Sequence, residues 1–104
     1  MEPTVSRKSD RFEITSESGE VAGFTQFVDT DGQRIFFHTE IGEQFGGQGL
    51  AGKVVAEALA ATRDDGLRIV PVCPFVKKYV QKHDEFADIV DKVTQQSLAA
   101  IPRG

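Results

Sequence analysis

The sequence predicts an α+β domain in which an antiparallel β-meander runs into a β-loop-α-β-α unit. Three observations predict it. Three short segments of alternating polarity, joined by turn residues, occupy positions 11 to 41. A glycine-rich stretch, Gly42-Glu43-Gln44-Phe45-Gly46-Gly47-Gln48-Gly49, follows them. An amphipathic stretch from Leu50 to Arg63 and a mostly apolar run from Leu67 to Cys73 come next, the pattern of a helix and then a strand.

Each element has a local reason. In Arg11–Thr15, Phe12 and Ile14 share one face, and Ser16–Gly19 is turn chemistry. Val21–Val28 alternates as a second strand. Asp29-Thr30-Asp31-Gly32 then turns the chain, since glycine tolerates φ > 0 and Asp31 caps locally. Arg34–Ile41 is the third strand. Short strands joined by turns pair antiparallel. Leu50, Val54, Val55, Ala58, Leu59 and Thr62 form one helical stripe, with Gly66 placed to end the helix. Pro71 inside the next run suggests an edge, a bulge or a splayed end. Pro74 suits the first position of another helix, with Phe75, Val76, Tyr79, Val80 and His83 on its inner stripe. Phe86, Ile89, Val90 and Val93 are spaced for a last helix that frays before Pro102.

Length and charge exclude several classes. A chain of 104 residues fits one domain. It is too short for a (β/α)₈ barrel or for a dinucleotide domain with a separate substrate domain. A net charge of −4 argues against a nucleic-acid partner. No apolar run approaches the roughly 18 residues of a membrane span. The single cysteine, Cys73, excludes an intrachain disulfide and suits a reducing cytoplasm. His38 and His83 lack a cysteine or third histidine to complete a metal site, so no metal is expected. Residues 1–10 are polar and read as a flexible arm before a single domain at 11–100.

The glycine-rich loop matches three patterns. Gly47 to Gly52 is literally G-x-G-x-x-G, but a dinucleotide fold needs that loop in its first βαβ unit, with an acidic residue about 20 positions on. Here three strands precede it, and Val70, Pro71 and Val72 stand where the acid belongs. Gly47 to Lys53 begins a P-loop, but Val54 replaces the hydroxyl that would hold Mg²⁺. Gln44 to Gly49 fits Q/R-x-x-G-x-G/A, with a strand before it and a helix after it. A helix N-terminus of that kind offers unpaired N–H groups and a favourable dipole to an anion. Glycines let a phosphate approach without interference from Cβ.

That last pattern is the pyrophosphate-binding loop of the GNAT superfamily of N-acetyltransferases. From His38 to Phe86, the segments H-T-E-I, G-G-Q-G-L-A, V-P-V-C-P-F-V and K-H-D-E-F resemble a family of very small GNAT-like enzymes of about 100 residues, sometimes called YjdJ-like. The resemblance covers almost the whole chain after the first ten residues. Asp84 stands where that family's pattern has proline, which bears on the local helix end. The resemblance implies a minimal GNAT fold, acetyl-CoA as co-substrate and an amine acceptor. The sequence leaves the acceptor's identity open, with a protein or a polyamine among the candidates. It implies that backbone groups around Ile41 pair with pantetheine and polarise the thioester. The N–H groups of Gly46, Gly47, Gln48, Gly49 and Leu50 would bind pyrophosphate, with Gln44 at the loop entrance. Lys53 would reach phosphate, and Lys77, with Lys78 and Lys82, would attract the 3′-phosphate.

Acetyl transfer to an amine needs a base, donors for the oxyanion and a proton for the leaving thiolate. Cys73 stands before a helix beginning at Pro74, where a thiol gains thiolate character. It would either accept acetyl or line the pantetheine end. His38 is a candidate base because imidazole titrates near neutrality. Strict alternation places it on a face with Phe36 and Glu40, and Glu40 is its partner or itself the base. Tyr79 resembles the GNAT tyrosine that protonates the thiolate. Two other classes stay open, a non-catalytic CoA-binding module and a protein-interaction domain.

Overall fold

The computed structural model describes residues 3–47 and 49–102. Among them, five strands form one sheet in sequential order: β1 (Thr4–Arg7), β2 (Arg11–Thr15), β3 (Val21–Thr30), β4 (Gln33–Ile41) and β5 (Arg68–Pro71). The first four are antiparallel, and β5 runs parallel to β4. A parallel pair needs a crossover connection. Helix α1 (Leu50–Asp64) supplies it, and α2 (Pro74–Lys82) follows β5. The expected α+β class, meander then β-loop-α-β-α, is the fold observed.

The main core lies on one face of the sheet, while Ile35 and Val70, also fully buried, alternate to the other. Phe12 and Ile14 of β2, Phe27 of β3, Phe36 of β4 and Ile69 of β5 meet Val54, Val55, Ala58 and Leu59 of α1 and Val76 of α2. Fully burying one such side chain contributes about 1.5–3 kcal/mol. The helix stripe read from the sequence is the buried face of α1. Its C-terminus closes as a Schellman motif. Leu67 N–H donates to Thr62 O at 3.1 Å, Gly66 N–H donates to Arg63 O at 3.0 Å, and Gly66 has φ 73°.

Among the described residues, one charged side chain is inside. Arg34 is 1% exposed. Its guanidinium donates to both Asp29 oxygens, at 2.8 and 2.9 Å, reaches Asp65 at 3.0 Å and lies 4.7 Å from the centre of the Phe27 ring. The fork geometry of arginine satisfies these partners together.

Two segments differ from expectation. Residues 1–10 are not simply an arm, because Thr4–Arg7 pair with β2 as β1. Four residues give too short an alternation to announce a strand. Val5 opposite Ile14 and an Arg7–Asp65 ion pair at 2.8 Å hold it. The helix expected over Phe86–Val93 is replaced by a 3-10 helix at Asp84–Ile89, an extended stretch, and α3 (Gln95–Ala99). Val90 bridges in parallel to Ile69, and Asp91 N–H donates to Ile69 O at 2.8 Å, so the sheet edge captures this backbone before a helix can continue. Asp91 then accepts from Gln33 Nε2 at 2.8 Å and Arg68 Nε at 2.6 Å. Thr94 caps α3 through a reciprocal pair of bonds with Ser97.

A bulge interrupts β4. Gln26 pairs with His38 but Phe27 pairs with Phe36, so Phe37 is an extra residue. Side chains on either side of it therefore do not follow simple alternation. Phe36 is in the core, whereas His38 and Glu40 lie on the opposite, exposed face. The expected sharing of a face by His38 and Phe36 is corrected by this extra residue.

Candidate functional site

The site begins where β5 leaves β4. Their pairing ends at Phe36 opposite Pro71, and Cys73 N–H donates a last bond to Phe36 O at 2.8 Å. Proline has no N–H to extend the ladder. From Phe37 to Ile41, β4 keeps β3 on one edge and has no β5 partner on the other. The result is a notch with free backbone groups along β4.

The glycine loop stands at the open end of that notch. Glu43–Phe45 form one 3-10 turn, Gly46 is extended, and Gly47 and Gly49 have φ 79° and 73°. α1 then starts with no side-chain cap and no acid in its first turn. Lys53 N–H closes the first turn on Gly49 O at 3.2 Å, which leaves the N–H groups of Leu50, Ala51 and Gly52 without intrahelical partners. A side chain at Gly47, Gly49 or Gly52 would meet nothing within 4 Å, so the space above the loop is open. These features suit an anion.

Two cavities make one groove from this loop along α2. The first, about 220 Å³, includes Ile41, Gly46, Gly47, Gly49, Leu50 and Gly52 in its lining. The second, about 250 Å³, is lined by Gly52, Phe75, Lys78, Tyr79, Lys82 and His83. They share Gly52 and Phe75.

The expected residues fall into distinct places. Ile41, Gly46, Gly47, Gly49 and Leu50 line the groove. Gln48 lies outside the described residues. Gln44 is exposed on the 3-10 turn and is not among the lining residues. Lys53 points to Glu57, 3.6 Å away, and does not line the groove. Lys77 lines a different cavity, beside Pro71 and Val90 on another side of α2. Lys78 and Lys82 are the lysines on the groove.

Cys73 caps α2 at the apex of the notch and is 4% exposed. Its thiol donates to Thr39 Oγ1 at 3.3 Å, and Thr39 Oγ1 lies 2.9 Å from Thr25 Oγ1, whose residue is fully buried. Tyr79 stacks on His83 with ring centres 4.2 Å apart. Burial, and secondarily the nearby Glu85, push its phenol above the usual value, so it stays protonated at neutral pH. His38 Nε2 is 3.4 Å from Glu40 Oε1, and both side chains are on the exposed sheet face. Cys73 and Tyr79 thus lie on the helix side of the sheet, His38 and Glu40 on the other, with the notch between them.

Gly52, Phe75 and Thr39 were missed as site residues in the sequence. Gly52 carried a signal, because a glycine inside a helix is unfavourable by about 1 kcal/mol and needs a reason. Phe75 and Thr39 carried none, since an apolar residue on a helix and a threonine on a strand are ordinary. Among the described residues no three His, Cys, Asp or Glu side chains gather as a metal site, and no helix is long and apolar enough to cross a membrane.

A strand that loses its neighbour beside a glycine loop and an uncapped helix is the frame of an acyl-CoA-dependent N-acyltransferase. Residues 11–89 match the family described as GCN5-related N-acetyl-transferase, and the chain belongs to that family. It is similar to a GCN5-like N-acetyltransferase from Staphylococcus aureus solved by NMR, with TM-score 0.67 and 20% identity over 88% of this chain and 91% of that one. It is also similar to YhbS, a GNAT family N-acetyltransferase from Escherichia coli solved in complex with CoA. That match has TM-score 0.54 and 25% identity over 59% of this chain and 38% of YhbS. A GCN5-related N-acetyltransferase from Sphaerobacter thermophilus matches with TM-score 0.53 and 18% identity, over 57% of this chain and 19% of that one. No curated protein sequence matches the chain.

Proposed function

We propose that the protein binds acetyl-CoA in the groove between the glycine loop and α2 and transfers acetyl to an amine. The observation that carries this is the loop itself. Uncapped N–H groups, two glycines with positive φ and an open Gly52 face one continuous groove that begins at the β4 notch. The YhbS structure in complex with CoA supports the choice of ligand. The residues present fit it: Leu50, Ala51 and Gly52 N–H groups would meet pyrophosphate, and Lys78 and Lys82 would meet the 3′-phosphate. Acetyl-CoA supplies an activated acyl carbon and a thiol leaving group.

The chain's own groups divide the proton work. His38, steadied by Glu40, takes one proton from an arriving ammonium, because only the neutral amine has a lone pair. The nitrogen–carbon bond forms as the carbon–sulfur bond breaks. The second nitrogen proton passes to solvent, while Tyr79, a neutral phenol, gives its proton to sulfur and takes one back from solvent. The net products are amide, thiol and one proton released by His38. Backbone N–H groups of β4 beside Ile41 hold the developing negative charge. Cys73 lines the notch. Its burial and its bond to Thr39 favour that role over attack on the acyl group.

The test is direct. Saturating acetyl-CoA at about 100 times its Kd raises stability by about 2.7 kcal/mol, read as a higher melting temperature. Gly47→Trp places a ring over the loop and abolishes the rise while the apo protein still melts cooperatively. No rise at millimolar acetyl-CoA would sink the proposal. Free thiol released in the presence of amines separates an enzyme from a CoA-binding module, since a module shows the thermal rise alone.

A further inference from the structure

We propose that the acceptor is a short aliphatic diamine or polyamine. It docks on the open sheet face with its reacting nitrogen at His38 and a second ammonium at Asp10. This rests on the transfer reading above. The cavity there measures about 660 Å³ and is lined by Asp10, Gln26, Phe27, Phe37, His38 and Pro102. It includes the β4 bulge, where β5 has left the sheet. An acceptor in it therefore meets the notch from the side opposite the glycine loop.

The lining sets the substrate class. His38, with Glu40 3.4 Å from its ring, lines one end, and Asp10 lines the other. Hydrogen bonds from Arg11 hold the Asp10 carboxyl below the usual carboxylate range, so it is charged at neutral pH. Those bonds are long, 3.3 Å each, and exposed, so an ammonium competes for the same oxygens while Arg11 keeps its seat 4.8 Å over the Phe24 ring. Among the described lining residues none is lysine or arginine. Phe37 offers apolar contact between the two ends.

Spacing decides between a diamine and a lysine side chain. Arg11, Gln26 and His38 are register partners on β2, β3 and β4. Two strand spacings of about 4.8 Å put the Asp10 backbone, beside Arg11, about 10 Å from the His38 backbone. Side chains from these two positions line one cavity, so a short aliphatic spacer can join an ammonium at each. A lysine side chain carries one ammonium and leaves Asp10 to Arg11 alone.

Titration of isotope-labelled protein with 1,4-diaminobutane, spermidine, butylamine and Nα-acetyl-lysine amide tests this by NMR. The diamine and spermidine should saturably shift the amide signals of Gln26, Phe37 and His38. Butylamine and the lysine derivative should bind roughly three- to fivefold more weakly. Asp10→Asn should erase that margin and leave the acetyl-CoA melting shift unchanged. Equal binding of all four amines, or a margin that survives Asp10→Asn, overturns the proposal. A melting shift with acetyl-CoA but no amine-induced signals overturns the docking site alone. Amine signals without thiol release overturn the acceptor assignment together with the transfer reading.

Discussion

Gly23 shows how a single missing side chain shapes the notch. It pairs with Ile41, and a Cβ there would overlap the Glu40 carbonyl oxygen and the Ile41 side chain. The carbonyl belongs to the sheet ladder and cannot rotate away. Gly23→Ala should therefore destabilise by about 1–3 kcal/mol through overpacking, measured as a lower urea midpoint. It should also weaken acetyl-CoA binding by shifting Ile41. An unchanged midpoint would show that β4 is free to move, contrary to the close pairing. The same strand marks what sequence can show about side-chain direction. His38 and Glu40 were legible as polar residues on one face. Their separation from Phe36 was not, because the extra residue, Phe37, arises from how β4 pairs with β3 and leaves no mark in β4 alone.

At the scale of elements, α1 was the most legible part and also carries a compromise. Its stripe, its start after Gly49 and its stop at Gly66 all follow from local chemistry. Gly52, inside the helix, contradicts that chemistry, and the groove above it is the reason. Gly52→Ala should stabilise the apo protein by about 1 kcal/mol, since its Cβ meets nothing within 4 Å. The methyl group also enters the groove, so the melting shift with acetyl-CoA should shrink. A stabilised variant with full ligand response would show that the groove floor lies elsewhere. α2 was legible as a helix but not in its rotation. Lys77 and Lys78 are one residue, about 100°, apart, and only packing of Val76 into the core decides that Lys78 faces the groove. Likewise the spacing of Phe86, Ile89, Val90 and Val93 suits a helix. A long-range bridge to Ile69 overrides it, and no local pattern reports such a bridge.

At the scale of the whole molecule, carboxylates tie the peripheral segments to the sheet and α1, and this sets the response to acid. Asp91 holds the extended C-terminal stretch. Its carboxyl is lowered by the hydrogen bond from Gln33 and then by that from Arg68. Burial opposes the charge on Asp65, but hydrogen bonds from Arg34 and Arg7 outweigh it and leave the carboxyl lowered. Asp88 is lowered by Arg63, but it is exposed and its pair is screened by water and salt, so it counts for less. A carboxyl lowered in the folded state adds stability above its unfolded value, and that stability is lost as pH falls through the folded value. These carboxyls share an ordinary value near 3.8, so the loss belongs below about pH 4. The urea midpoint should then fall steeply below pH 4 as these groups protonate. Asp65→Asn combined with Asp91→Asn should start from a lower midpoint at pH 7 and decline less steeply in acid. Because Asp91 anchors the segment that leads to Pro102 at the open-face cavity, Asp91→Asn alone should also loosen that wall. Amide signals of residues 92–101 should then broaden or shift while those of the glycine loop stay in place. Parallel acid curves for wild type and double variant would mean that the acid response comes from other groups.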